Sequence, residues 1–153
     1  MKKRVRTDRI IFHHSLSDNC DAATIREWHL ARKFEDIGYH FVIMPSGLIQ
    51  SGRDIAMVGA HSFGRNTTSI GCCIVGDFRT HEPTINQVQA VCQLVHTLSH
   101  SVAPGWVHPL KFEFHRPHIF NLFEPSEYGR FDACPGRGLD RADLLEAAAK
   151  GYL

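Results

Sequence analysis

The middle of the chain contains the run Ser69-Ile70-Gly71-Cys72-Cys73-Ile74-Val75-Gly76, which is apolar after its first residue and is bounded by glycine. A strand with one face in water alternates apolar and polar residues, whereas a strand covered on both faces does not. The run therefore predicts a buried strand near the middle of a sheet.

Further strands are predicted on both sides of this run. The β-branched run Ile10-Ile11-Phe12 ends at His13-His14, and an alternating segment over residues 110–114 ends at His115. Pro109 cannot donate a backbone hydrogen bond, so we expect the strand that follows it to lie at a sheet edge or to start there. A hairpin is predicted over residues 39–50, with its turn at Pro45-Ser46-Gly47.

Amphipathic helices alternate with the predicted strands. The first follows the N-cap Asp21 and covers residues 22–34, with Ile25 and Trp28 on its apolar face. The second opens with the capping-box spacing of Thr84 and Gln87. A long loop over residues 117–138 and a last helix over residues 140–151 complete the chain. We expect a single α/β domain with a central mixed β-sheet flanked by helices.

Length and charge restrict the class of protein. The chain of 153 residues has the size of one domain, which we assign to residues 10–153 after a basic N-terminal tail at residues 1–9. The net charge is +1 and the sequence pI is 7.8, so we expect no nucleic acid partner, because such a partner usually requires a strongly basic domain. No stretch approaches the roughly 18 apolar residues of a membrane span, so we expect no membrane insertion.

The cysteines and the N-terminal residues indicate the cellular compartment in which the protein is made. Five cysteines are an odd number, and their scattered spacing does not predict a disulfide framework. The basic start is not followed by the apolar region of a signal peptide. We therefore expect a protein that is made in the cytoplasm, with Cys20, Cys72, Cys73 and Cys92 in its core. We also expect a monomer.

Three side chains suggest a metal site. His13 and His115 follow predicted strands, and Cys134 lies in the long loop after His115. Two imidazoles and one thiolate are ligands that zinc prefers, and three protein ligands leave a fourth position for water. By spacing alone the set is weak, because eleven histidines offer many accidental triples. The alternatives are two hydrogen-bonded histidines at strand ends and an inert buried thiol.

An ordered set of motifs spans residues 10–136. The chain resembles the zinc-dependent N-acetylmuramoyl-L-alanine amidases, which include bacteriophage endolysins and animal peptidoglycan recognition proteins. The motifs that carry the resemblance are Ile10-Ile11-Phe12-His13-His14-Ser15, Gly38-Tyr39-His40-Phe41, Gly52-Arg53, Gly59-Ala60-His61, Asn66, Ser69-Ile70-Gly71, Gly76, His115-Arg116 and Ala133-Cys134-Pro135-Gly136.

The resemblance implies a fold of the recognition-protein type and a role for each matching residue. His13, His115 and Cys134 match the three ligands of one zinc ion, and Tyr39 matches the tyrosine that faces the water and the substrate carbonyl. Family members without the cysteine bind peptidoglycan but do not cleave it, so Cys134 favours an enzyme. We assign substrate binding to four other residues of these motifs: His14, His61, Asn66 and Arg116. For His14 and His61 the alternative is an ordinary polar contact.

The sequence departs from the family in two places. Asp132 stands where phage relatives often have lysine and recognition proteins have threonine. A carboxylate there either acts as a general base toward water or has no catalytic role. Nineteen positions separate His115 from Cys134, more than is usual in the family, so we place an insertion at residues 117–131. His118 in this insertion is an alternative zinc ligand.

The resemblance implies zinc-dependent hydrolysis of the amide bond between N-acetylmuramic acid and L-alanine of peptidoglycan. The simplest biological role is that of an endolysin, which reaches the wall after its release from the cytoplasm. One alternative is a binding module of the same fold that recognises peptidoglycan without cutting it. Another is an amidase that acts on recycled muropeptides in the cytoplasm.

Overall fold

The computed structural model describes residues 1–115, of which seven segments form helices and strands. The long loop, the insertion at residues 117–131 and the helix expected from residue 140 all lie outside the described residues. The elements are β1 (Thr7–His14), α1 (Ala22–Ala31), β2 (Phe41–Ile43), β3 (Ile49–Ser51), β4 (Ser69–Ile74), α2 (Ile85–Ser99) and β5 (Trp106–Phe114).

The five strands form one mixed sheet in the order β3-β2-β4-β1-β5. Strands β2, β4, β1 and β5 run parallel, and only β3 is antiparallel to its neighbour β2. All six residues of β4 are buried, which confirms the prediction of a strand covered on both faces. Strand β5 contains Pro109 and lies at one edge of the sheet, also as predicted.

The alternation of side chains along the strands divides the core into two layers. Phe12 of β1 and Cys72 of β4 pack with Val95 of α2 on one face of the sheet. Cys73, the next residue of β4, packs with Ile25 of α1 on the other face. Each of these side chains is at most 2% exposed, so the helices seal both faces of the central strands.

Of the two helices within residues 1–115, only α1 differs from its predicted boundaries. The side chain of Thr84 accepts a hydrogen bond from the backbone of Gln87, whose side chain accepts from Thr84 in return, which confirms the capping box of α2. Helix α1 ends at Ala31, because the chain turns through a left-handed conformation at Lys33. Trp28 is 42% exposed, so its expected place in the core is wrong. No helix within residues 1–115 is long and apolar enough to cross a membrane.

Residues 1–9 do not form a separate tail, which corrects the predicted domain boundary. Strand β1 already begins at Thr7, and Lys3 forms an isolated β-bridge with Met57. The guanidinium of Arg4 donates hydrogen bonds to three backbone carbonyls on two segments of the domain, which explains why this basic stretch packs against it. The accepting carbonyls belong to Ile55, Met57 and Ser69.

We predict that Arg4→Ala lowers the free energy of unfolding by about 2 kcal/mol, because it removes a charged donor and leaves partly buried carbonyls without it. Arg6→Ala is the matched control, since Arg6 is 57% exposed and forms a surface ion pair with Asp8. Urea unfolding of both variants measures the difference. Equal losses of stability would contradict the structural role of Arg4.

Candidate active site

The site begins with two histidines that neighbouring parallel strands bring together. His13 lies at the end of β1, and His115 directly follows β5, with its backbone N–H donating to the carbonyl of Phe12 at 3.0 Å. The carboxyl ends of paired parallel strands lie at the same edge of a sheet, so the two side chains become neighbours. Their ring centroids are 4.5 Å apart and their planes are inclined by 29°.

His13 and His14 point to opposite faces of the sheet, as successive strand residues must. His13 lies beside Cys73 on the α1 side, whereas His14 lies beside Ile74 on the α2 side. The Nδ1 of His14 accepts a hydrogen bond from the backbone N–H of Phe78 at 3.2 Å. The assignment of His14 to substrate binding is therefore wrong, because the sheet separates its side chain from His13.

A third imidazole, that of His61, contacts His13 from the loop between β3 and β4. The Nδ1 of His61 lies 3.0 Å from the Nε2 of His13, and its Nε2 lies 3.2 Å from the Oγ of Ser69. The side-chain oxygen of Asn66 accepts hydrogen bonds from the backbone N–H groups of His61 at 2.9 Å and Ser62 at 2.8 Å. Asn66, expected to bind substrate, thus uses its oxygen to hold the loop that carries His61.

Two glycines make room for the His61 ring. A Cβ atom at Gly59 would lie 2.5 Å from the Cδ2 of His61, and one at Gly71 would lie 2.4 Å from the same atom. Both distances are too short for any side chain, so the ring occupies the space that these glycines leave open. Gly71 belongs to the buried strand β4, and its lack of a side chain is what lets an imidazole lie against the sheet.

Tyr39, just before β2, lies next to the histidine pair. Its ring centroid is 5.0 Å from that of His13 and 5.5 Å from that of His29 on α1. The Nδ1 of the buried His29 accepts a hydrogen bond from the backbone N–H of Gly38 at 2.8 Å, which fixes the segment that carries Tyr39. His29 could not be singled out from the sequence, because its spacing on α1 makes it one polar residue among several.

Burial keeps these imidazoles neutral at physiological pH. It lowers the pKa of both His13 and His61 well below the usual value of 6.5, and neighbouring imidazoles lower each further. Burial also lowers the pKa of His40, which lies beside His61, to about 4. Only a neutral imidazole offers a lone pair to a metal, so this environment suits histidine ligands.

The donors within residues 1–115 fit part of a zinc site. His13 and His115 offer two imidazoles side by side, but the described part of the chain contains no cluster of three His, Cys, Asp or Glu side chains that could hold a metal. The resemblance implies that the third ligand of a zinc site comes from beyond residue 115. The residues expected near it, Arg116, Asp132 and Cys134, all lie outside the described residues.

Comparison with protein families and curated sequences gives a consistent set of relatives. The family described as N-acetylmuramoyl-L-alanine amidase matches residues 3–116. An endolysin of Escherichia phage T7 is 44% identical over 78 residues, which cover 49% of this chain and 52% of that protein. Peptidoglycan-recognition protein 2 of Holotrichia diomphalia is 34% identical over 90 residues, which cover 53% of this chain and 48% of that protein. The chain thus spans about half the length of these curated relatives.

A solved structure agrees with the expected fold. The N-acetylmuramoyl-L-alanine amidase LysC from Clostridium intestinale superposes with a TM-score of 0.74 at 25% sequence identity, covering 97% of this chain and 87% of that one. The prediction of an α/β domain of the amidase and recognition-protein type is confirmed.

The contact between Gly71 and His61 is testable by a double-mutant cycle. We predict that Gly71→Ala costs about 1–3 kcal/mol of stability, because the added methyl group collides with the imidazole. In a His61→Ala background, where that ring is absent, the same substitution should cost about 1 kcal/mol less. Thermal or urea unfolding of the four proteins measures both costs, and equal costs in the two backgrounds would contradict the packing described above.

Proposed function

Because the chain belongs to the N-acetylmuramoyl-L-alanine amidase family, we propose that it hydrolyses the amide bond between N-acetylmuramic acid and L-alanine of peptidoglycan with one bound zinc ion. The observation that carries the proposal is the pair of imidazoles of His13 and His115, whose ring centroids are 4.5 Å apart at one sheet edge. Burial lowers the pKa of His13 well below its usual value, so this imidazole stays neutral. An endolysin relative supports peptidoglycan as the substrate.

His13, His115 and Cys134 are the proposed zinc ligands. Two imidazoles and one thiolate leave one of the four positions of zinc open, which is the arrangement of catalytic sites rather than structural ones. Bound zinc supplies a Lewis acid that activates water and polarises an amide carbonyl. The packing of His13 between Tyr39, His61 and His115 holds this ligand in one orientation.

Tyr39 and Asp132 are the proposed catalytic side chains. The Tyr39 ring lies beside His13, so its hydroxyl group is suited to donate a hydrogen bond to the carbonyl oxygen as negative charge develops there. Asp132 replaces the lysine of many phage relatives and cannot donate in this way as a carboxylate. We assign it the role of general base toward the attacking water.

A second candidate function is peptidoglycan binding without cleavage. The similarity to a peptidoglycan-recognition protein favours it, and so does the carboxylate at position 132. The presence of Cys134 favours the enzyme, because a binding module has no need of a third zinc ligand.

Release of new L-alanine amino termini from purified peptidoglycan tests the proposal. We expect the zinc-loaded protein to release them, and we expect Cys134→Ala or a chelator to reduce release by at least about a hundredfold, since both remove the Lewis acid. Cys92→Ala is the matched control, because Cys92 is buried in α2 on the other face of the sheet and should leave the rate unchanged.

Two outcomes would contradict the proposal of a zinc-dependent amidase. If the protein keeps its full rate after chelation, hydrolysis does not depend on zinc. If the zinc-loaded protein binds the polymer but releases no amino termini, the chain is a binding module instead.

A further inference from the structure

A chain of hydrogen bonds runs from His13 to a backbone carbonyl. The Nε2 of His13 lies 3.0 Å from the Nδ1 of His61, and the Nε2 of His61 lies 3.2 Å from the Oγ of Ser69. Ser69 Oγ in turn donates to the carbonyl of Arg65 at 2.8 Å. Ser69 is fully buried, so its hydroxyl group cannot turn to bulk water instead.

The carbonyl of Arg65, at the end of this series of hydrogen bonds, fixes the direction of each of them. A carbonyl oxygen can only accept, so the one hydroxyl hydrogen of Ser69 points at Arg65. The Oγ of Ser69 must then accept the hydrogen on Nε2 of His61. A neutral imidazole carries one N–H, so the Nδ1 of His61 is an acceptor and receives the Nε2–H of His13.

We propose that Ser69 and His61 are positioning residues that hold His13 in the tautomer protonated on Nε2, so that its Nδ1 is the atom that binds the metal. The proposal rests on the zinc site proposed above and assigns its first ligand atom. A metal-ligating histidine commonly donates its other N–H to a second group, which fixes both tautomer and ring orientation. Carboxylates and backbone carbonyls, which are common partners, can only accept, whereas an imidazole can also donate, so its own tautomer must be fixed as well.

The surroundings of His61 restrict the position of its ring. Gly59 and Gly71 enclose the ring from two sides, and Asn66 holds the backbone N–H of His61. If the direction were reversed, Ser69 would donate to the Nε2 of His61, and its Oγ would lie 2.8 Å from the carbonyl oxygen of Arg65 with no hydrogen between the two oxygens. That separation is typical of an O–H···O hydrogen bond, whereas two oxygen atoms without a hydrogen between them repel each other, so Ser69 favours one direction.

The tautomer of His13 in the metal-free protein tests the proposal without any activity. Long-range proton–nitrogen NMR spectra distinguish a ring protonated on Nε2 from one protonated on Nδ1, and the signals missing from His13→Gln identify His13. We expect wild-type His13 to be protonated on Nε2 alone. In Ser69→Ala the His61 ring loses its acceptor, so we expect both tautomers of His13 to appear.

Zinc affinity, measured by competition with a chelator, gives the second readout. We expect Ser69→Ala to bind zinc about tenfold to a hundredfold more weakly than the wild type. Ser99→Ala is the matched control, because the buried hydroxyl of Ser99 has no hydrogen-bond partner among residues 1–115 and belongs to α2, which packs on the face of the sheet opposite to His13. Its zinc affinity and His13 tautomer should equal those of the wild type.

The proposal and the zinc site can fail separately. Protonation of wild-type His13 on Nδ1, or equal zinc affinity of folded Ser69→Ala and Ser99→Ala, would overturn the role of Ser69 and His61 even if the protein is a zinc amidase. If the wild type binds no zinc, the proposed function and the ligand role of Nδ1 both fail. The tautomer of His13 then still shows whether the hydrogen bonds run in the stated direction.

Discussion

The pairing of β1 with β4 on one side and β5 on the other is the constraint on which the rest of this site depends. Because all three strands run parallel, their register fixes which residues of β4 and β5 lie beside His13. The end of β5 then brings His115 beside His13, and β4 brings Ser69 and Gly71 under the ring of His61. A change of one residue in register would turn His13 to the other face of the sheet.

Burial gives this constraint its chemical consequence. The apolar strands and the two helices exclude water from the sheet, so the imidazoles of His13 and His61 stay neutral and keep their lone pairs. The polar groups inside satisfy each other in a line from His13 through His61 and Ser69 to a carbonyl. The same packing that stabilises the fold therefore orients the proposed metal ligand.

The sequence predicted the elements whose signals are local and strong. The apolar run of β4, the capping box at Thr84 and the strand ends at His13 and His115 all depend on residues close together in the chain. The errors concern long-range contacts: Arg4 packs on a loop more than fifty residues away. Periodicity also could not show how far a helix face is covered, which is why Trp28 was misplaced.

The site was predicted in part for the same reason. The motifs singled out His61 and Asn66, but their contacts with His13 and with the loop backbone exist only in the folded chain. His14 was misassigned although strand alternation alone puts it opposite His13. Ser69 belongs to one of the motifs that carry the resemblance, but no role was predicted for it, since a serine at the start of a buried strand has many structural uses.

The proposed site binds one zinc ion through His13, His115 and the thiolate of Cys134. X-ray absorption spectroscopy at the zinc edge of the loaded protein identifies these ligands. We expect four-coordinate zinc with two imidazole nitrogens at about 2.0 Å and one sulfur at about 2.3 Å. A zinc site without sulfur, or one surrounded only by oxygen atoms, would contradict this ligand set.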